Sequence, residues 1–186
     1  MKRKLIAASL SLCILPFSVA ANDFSGHRVG IGFTTTDIEN TQGERVDWGS
    51  GFKLEYGYDI NRIFGVNLSY SNTSDSVQYY FNSQRFGADL STNTFKFDAD
   101  IGYTFQQNNF SIKPYGAVGF ANYKDTLDIH FGDSNSSSRS YKESAPYFGI
   151  GVRGALTQGL YADLRLDYLM DDAYTDQFSL TVGYKF

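Results

Sequence analysis

The chain has 186 residues, a formal net charge of −4 and one cysteine, Cys13. It has no basic cluster that would suit nucleic acid and no second cysteine for a disulfide framework, so both of those classes are excluded. Tyr and Phe supply 14 and 16 residues while the mean hydropathy is negative, so the apolar residues must be organised by position.

The first element is a leader. Lys2, Arg3 and Lys4 precede an apolar run from Leu5 to Phe17, followed by the small residues Ser18, Ala20 and Ala21. This order predicts a secretory signal peptide over 1–21, cleaved after Ala20 or Ala21, with 22–186 as one domain. The apolar run falls short of the roughly 20 residues of a spanning helix. Leu12 is too large for a lipoprotein signal at Cys13. The remaining chain is cysteine-free and more acidic, and it is bound for a non-cytoplasmic compartment without disulfides.

Eight alternating segments follow, at 26–36, 48–59, 63–72, 93–106, 110–124, 145–157, 160–170 and 175–186. Period-two alternation puts one residue type on each face of a strand. In the second segment Trp48, Phe52, Leu54, Tyr56 and Tyr58 oppose Lys53, Glu55 and Asp59. In the fourth, Phe95, Phe97, Ile101, Tyr103 and Phe105 oppose Lys96, Asp98 and Asp100. In the seventh, Leu160, Leu164, Leu166 and Tyr168 oppose Asp163, Arg165 and Asp167. The eighth carries Phe178, Leu180, Val182, Tyr184 and Phe186 on one face. Connectors near 60–62, 106–109 and 157–159 are tight, whereas 37–47, 73–92 and 125–144 are long and polar. Short–long alternation is the pattern of antiparallel neighbours in a barrel. Pro114 and Pro146 interrupt this reading, because a closed barrel has no edge strand to hold them.

The polar face decides which side is greasy. It mixes Lys53, Glu55, Lys96, Asp98, Asp100, Lys113, Arg153, Asp163, Arg165, Asp167 and Lys185 with glycines such as Gly30, Gly57, Gly149 and Gly151. Glycine squanders strand propensity on a solvated face, but in a narrow lumen it makes room for long charged side chains. The apolar face ends in Tyr, Trp and Phe at both rims, as in an aromatic belt. The fold expected is all-β, an eight-stranded antiparallel up-and-down transmembrane barrel with an ion-paired lumen.

The runs Lys113-Pro114-Tyr115-Gly116-Ala117-Val118-Gly119-Phe120 and Tyr147-Phe148-Gly149-Ile150-Gly151-Val152-Arg153-Gly154, with LYADLRLDY and the terminal VGYKF, resemble the small outer-membrane β-barrel proteins of Gram-negative bacteria, the OmpA-like transmembrane domain and OmpX/Ail group. The resemblance implies a Gram-negative outer-membrane location among lipid and lipopolysaccharide. It also implies that Phe178, Leu180, Val182, Tyr184 and Phe186 serve as a signal to the barrel-assembly machinery.

Chemistry beyond architecture is sparse. His27 and His130 are the only histidines. His130 has Asp128, Asp133 and Ser134 near it in sequence, which a polar loop supplies without catalysis. Asp171, Asp172 and Asp176 form an acidic run that is unspecific for Ca²⁺. No cofactor and no metal centre are expected. Aromatics in the long connectors (Tyr79, Tyr80, Phe81 and Phe86 in 73–92, Phe131 and Tyr141 in 125–144) are candidate contacts to an external surface or protein. The alternative is that the two hairpins extend past the membrane and pack on each other. The functional expectation is a non-enzymatic barrel with a structural or adhesive role. A small low-conductance channel comes next, and a lipid A-modifying enzyme last.

Overall fold

Inside hydrocarbon every backbone N–H and C=O needs a partner within the sheet, so alternating strands must close on one another. The computed structural model describes residues 24–39, 45–81, 84–131, 135–171 and 175–186. The signal-peptide segment lies outside them. The strands are β1 (Gly26–Glu39), β2 (Arg45–Asp59), β3 (Phe64–Phe81), β4 (Gln84–Gly102), β5 (Phe105–Gln106), β6 (Phe110–Phe131), β7 (Asn135–Leu156), β8 (Leu160–Leu169) and β9 (Thr175–Lys185). Consecutive strands pair antiparallel except β4 and β5, which both pair with β6, and β1 pairs with β9. The sheet is therefore closed. The two-residue β5 continues the β4 edge along β6, so the barrel has eight staves.

Pro114, in β6, lies opposite the gap between β4 and β5. The β4–β6 ladder ends at Gly102↔Tyr115 and resumes as Phe105↔Ile112 in β5. The missing proline N–H thus falls where the ladder is already interrupted, opposite Tyr103 and Thr104. The Thr104 N–H donates instead to the Arg62 carbonyl at 3.1 Å. Pro146 pairs with Phe120 and accepts at its carbonyl from the Met170 N–H.

Burial is inverted relative to a water-soluble barrel. Along β6, Ala117 and Ala121 are 3% and 0% exposed, while Val118 and Phe120 are 59% and 63% exposed. The outward apolar band recurs on every long strand, for example Ile31, Leu54, Phe97, Ile150, Leu164 and Val182. At the short-turn end, Asn61 accepts hydrogen bonds from the N–H groups of Ile63 and Phe64, an Asx turn that reverses the chain in a few residues. Gly159, at φ 94°, occupies the left-handed region in the tight turn between β7 and β8.

The long connectors differ from expectation. Residues 73–92 and 125–144 are mostly strand, not loop. The β3–β4 ladder runs to Phe81↔Gln84 and the β6–β7 ladder to Phe131↔Asn135. The β4–β6 ladder joins the two hairpins as far as Phe86↔Phe131. By contrast, β2 leaves β3 at Ser50↔Ser74, and β8 leaves β7 at Tyr147↔Leu169. Four strands therefore rise together as a wall above the rest of the barrel, which is the alternative in which the hairpins pack on one another. Outside the bilayer both faces of a strand meet water, so the apolar alternation fades while the backbone ladder continues.

Candidate functional site: the lumen and the external wall

The lumen holds two linked charge clusters. Nearer the wall, Arg165 reaches Asp167 at 2.6 Å and Asp98 at 3.1 Å. Lys96 reaches Asp167 at 2.8 Å and also bonds Gln177. The Tyr147 hydroxyl donates to Asp98 at 2.6 Å and accepts from Arg165. Toward the short turns, Arg153 pairs with Asp163 at 2.7 Å, Lys53 with Glu55 at 2.7 Å, and Lys185 with Asp59 at 2.9 Å. Lys113 pairs with Asp100. Arg28 lies within reach of Glu55, Asp59 and Asp100. Asn67 joins the clusters, donating to Asp98 at 2.7 Å and Asp100 at 3.0 Å.

Thus Lys53, Glu55, Lys96, Asp98, Asp100, Arg153, Asp163, Arg165 and Asp167 are all buried inside the barrel, whereas Lys185 is partly open at the rim. Buried ions are tolerable only when paired and hydrogen-bonded, and each cation here has at least one carboxylate. Glycine supplies the space. A Cβ on Gly57 would strike the Arg28 guanidinium at 2.5 Å, and one on Gly151 the Tyr115 hydroxyl at 2.6 Å.

Sequence reasoning missed Arg28, Asn67, Tyr115 and Tyr147 as lumen residues, whereas Tyr161 sits inside as its place on the charged face of the seventh segment implied. All four missed residues lie in phase with the charged face, and that phase was the available signal. The tyrosines escaped because aromatics read by default as lipid-facing. Instead the Tyr115 hydroxyl donates to Asp163 at 2.7 Å, and the Arg153 guanidinium lies 4.9 Å from the Tyr115 ring centre.

The closing strand residues Phe178, Leu180, Val182, Tyr184 and Phe186 all face outward and are exposed. Phe186 stacks on His27 at 5.8 Å, and the two exchange backbone hydrogen bonds of 2.9 Å. His27 is thus a rim residue that also bonds the Tyr56 hydroxyl. His130 pairs with Asp89 of β4 at 3.0 Å, not with its sequence neighbour Asp128. Asp133 and Ser134 lie outside the described residues. Asp171 accepts from the N–H and hydroxyl of Thr175, which braces the β8–β9 connection. Asp172 lies outside the described residues. Among the described residues, no group of three potential ligands is arranged for a metal ion.

Of the proposed surface contacts, Tyr141 is exposed on β7. Tyr79, Tyr80, Phe81, Phe86 and Phe131 lie on the wall strands, with Tyr79↔Phe86 and Phe86↔Phe131 in register. Their side chains fall outside the description. The wall's two faces differ by register. Ala88 and Leu90 of β4 face the same way as Ile129 and Leu127 of β6, continuous with the lumen, while Asp89, Asp128 and His130 lie on the other side. At the foot of this wall the Tyr123 hydroxyl approaches Glu143 at 2.9 Å and Asp171 at 3.1 Å, and Thr92 donates to Asp125 at 2.6 Å. Burial, then these two carboxylates, push the Tyr123 phenol up. Burial also raises the Asp125 carboxyl, with Glu143 and Asp171 adding to the shift and the Thr92 hydrogen bond opposing it.

An apolar exterior, an ion-paired interior and complete strand closure define a small transmembrane β-barrel. Residues 5–186 match the family model for the outer membrane protein β-barrel domain, and the chain belongs to that family. It is an outer-membrane protein of the Gram-negative envelope, with its short turns toward the periplasm. It is 25% identical over 188 residues to the attachment invasion locus protein of Yersinia enterocolitica, covering 100% of both chains. The corresponding protein of Yersinia pseudotuberculosis is 27% identical, over 100% of this chain and 98% of that one. Among solved structures, Ail of Yersinia pestis in complex with the heparin analogue sucrose octasulfate superposes with a TM-score of 0.61 at 21% identity, covering 88% of this chain and 99% of that one.

Proposed function

We propose that the chain is an adhesive or interaction barrel that acts through the β3–β4–β6–β7 wall and carries out no catalysis. The observation that carries this is the wall itself. Four strands leave the membrane in a continuous ladder and present an apolar stripe on one face and polar residues on the other. Such a surface suits a partner with apolar and cationic groups. The attachment-and-invasion naming of the relatives supports the adhesive part of this reading. Acidic residues such as Asp75, Asp89, Asp125 and Asp128 on the wall argue against carrying over polyanion recognition from the heparin-analogue complex. Lys124 and Lys142, opposite one another on the outward face above Phe120 and Phe148, suit lipopolysaccharide phosphates. The outward face of β9, with Phe186 just beyond it, is the segment offered to the assembly machinery.

The test is to shorten both hairpins at register pairs. Ser74 is joined to Ser91, and Lys124 to Lys142, each through an Asn-Gly turn. The shortened protein should reach the outer membrane and remain heat-modifiable on gels. Attachment of cells displaying it to epithelial monolayers should fall to the level of cells lacking the protein. Undiminished attachment with the shortened barrel at normal surface level would refute the proposal.

A further inference from the structure

Beyond that reading, we propose that the residues leading into β1 form a strap over the periplasmic mouth of the lumen, with Phe24 as its clasp. A segment ahead of a first strand is ordinarily frayed unless something ties it down. Here two ties hold it. The Arg62 guanidinium, in the turn between β2 and β3, lies over the Phe24 ring at 4.9 Å. The Phe24 carbonyl accepts from the Lys185 ammonium at 2.8 Å.

Both anchors are themselves fixed. Arg62 also lies over the Tyr103 ring at 4.4 Å. Its Nε donates to the Thr104 carbonyl at 2.8 Å, and its own carbonyl accepts from the Thr104 N–H and hydroxyl. Lys185 also pairs with Asp59 at 2.9 Å. Gly26 lets the base of the strap run close to β9, since a Cβ there would strike the Lys185 side chain at 2.9 Å and the Phe186 carbonyl at 3.0 Å. The anchors come from β9 on one side of β1, and from the β2–β3 turn and the β4–β5 junction on the other. They stand together only in the closed barrel, so the strap docks after closure.

Phe24 is half-buried and lines a cavity of about 290 Å³ at this mouth, together with Arg28, Asp59, Lys113 and Arg153. Those four ions are paired within the lumen, and ion pairs weaken where water raises the local dielectric. The turns at this end span only a few residues each, too few to fold over the lumen themselves. The segment before β1 supplies the cover, and it limits the water and small solutes that reach the ion pairs from the periplasm.

The experiment places one cysteine at Ser111, which lines the same cavity, in the full barrel carrying Cys13→Ser so that no other thiol is present. Its reaction with methyl methanethiosulfonate, a small neutral reagent, is timed in detergent micelles. Phe24→Ala and Arg62→Gln should each speed the reaction about fivefold, the change expected from losing one exposed cation–π contact. Phe24→Tyr, which keeps the ring, should react at the parental rate. A cysteine at Thr94, in the cavity at the opposite end of the lumen, should be indifferent to all three. Phe24 precedes the first strand, so Phe24→Ala carries the test alone if Arg62→Gln disturbs the turn and loses heat-modifiability. An unchanged rate at Ser111→Cys in Phe24→Ala, or an equal rise at Thr94→Cys, would overturn the proposal.

Discussion

Arg165 offers a direct test of whether the lumen is held by mutual charge compensation. Its guanidinium is buried and contacts Asp167 at 2.6 Å, Asp98 at 3.1 Å and the Tyr147 hydroxyl at 3.1 Å. Arg165→Met keeps the volume and removes the charge. Stripping one partner from a buried ion pair costs about 3–5 kcal/mol. Here the lower end applies, because Asp167 keeps Lys96 and Asp98 keeps Tyr147 and Asn67. A loss of about 3 kcal/mol is expected for Arg165→Met, and a similar loss for Asp98→Asn. The double variant leaves Lys96 and Asp167 as an intact pair at 2.8 Å, so charge balance returns. Its loss should fall short of the sum of the single losses by about 2 kcal/mol. Urea unfolding in lipid vesicles, read by the fluorescence of the single tryptophan, Trp48, and by gel mobility, gives all four corners of the cycle. Additive losses would show that the two side chains act independently and would refute the compensation argument.

Other outcomes are as specific. Spin labels at Leu164 and Asp163 should report lipid and a water-poor interior respectively, since these neighbours face opposite sides of β8; equal accessibility to a polar relaxant would contradict the barrel's inside–outside assignment. Asp125→Asn should raise the urea midpoint at pH 7. Burial raises the folded-state pKa of Asp125, so its ionised form opposes folding above that pKa. The advantage of Asn should shrink as pH falls through the raised pKa and vanish below the unfolded value, and a gain that grows toward acid would be inconsistent with this. Deleting Phe186 should slow arrival in the outer membrane far more than it lowers the urea midpoint of assembled barrel, because the ring is 63% exposed and contacts mainly His27; normal pulse-chase kinetics would count against an assembly role. Wild-type protein in planar bilayers should show no large steady conductance, given the filled lumen.

Sequence alone located the strands wherever one face meets lipid. In β8 and β9 the expected and observed ends differ by a single residue, because alternation there has a physical cause along the whole strand. The same reasoning lost β3, β4, β6 and β7 where they leave the bilayer. Ser136, Ser137 and Ser138 look like a loop, yet they pair with His130, Ile129 and Asp128. Their strand character comes from the neighbouring backbone, which composition does not encode. In the lumen the ions other than Arg28 were legible because charge on an apolar-alternating strand has only one place to go. Tyr115 and Tyr147 were not legible, since an aromatic ring fits either lipid or a polar lumen that satisfies its hydroxyl. The pairing pattern depends on shear between strands far apart in sequence, as with Arg28 of β1 and Asp100 of β4.

The lumen and the wall are mechanically one object. Asn67, Asp98, Lys113 and Tyr147 belong to β3, β4, β6 and β7, the four strands that form the wall, and each is tied within the lumen. Several ties cross the barrel to the opposite strands: Lys96 to Asp167 of β8 and Gln177 of β9, and Asp100 to Arg28 of β1. A four-stranded ribbon rising free of β2 and β8 would twist and splay if its base could shear, because each of its outer edges lacks a neighbour. Fixing the base through buried ion pairs limits that shear at the level where the ladder leaves the membrane. The charges inside the barrel therefore hold in place the surface displayed outside it. This gives the filled lumen a role that a water-filled channel of the same strand number would lack.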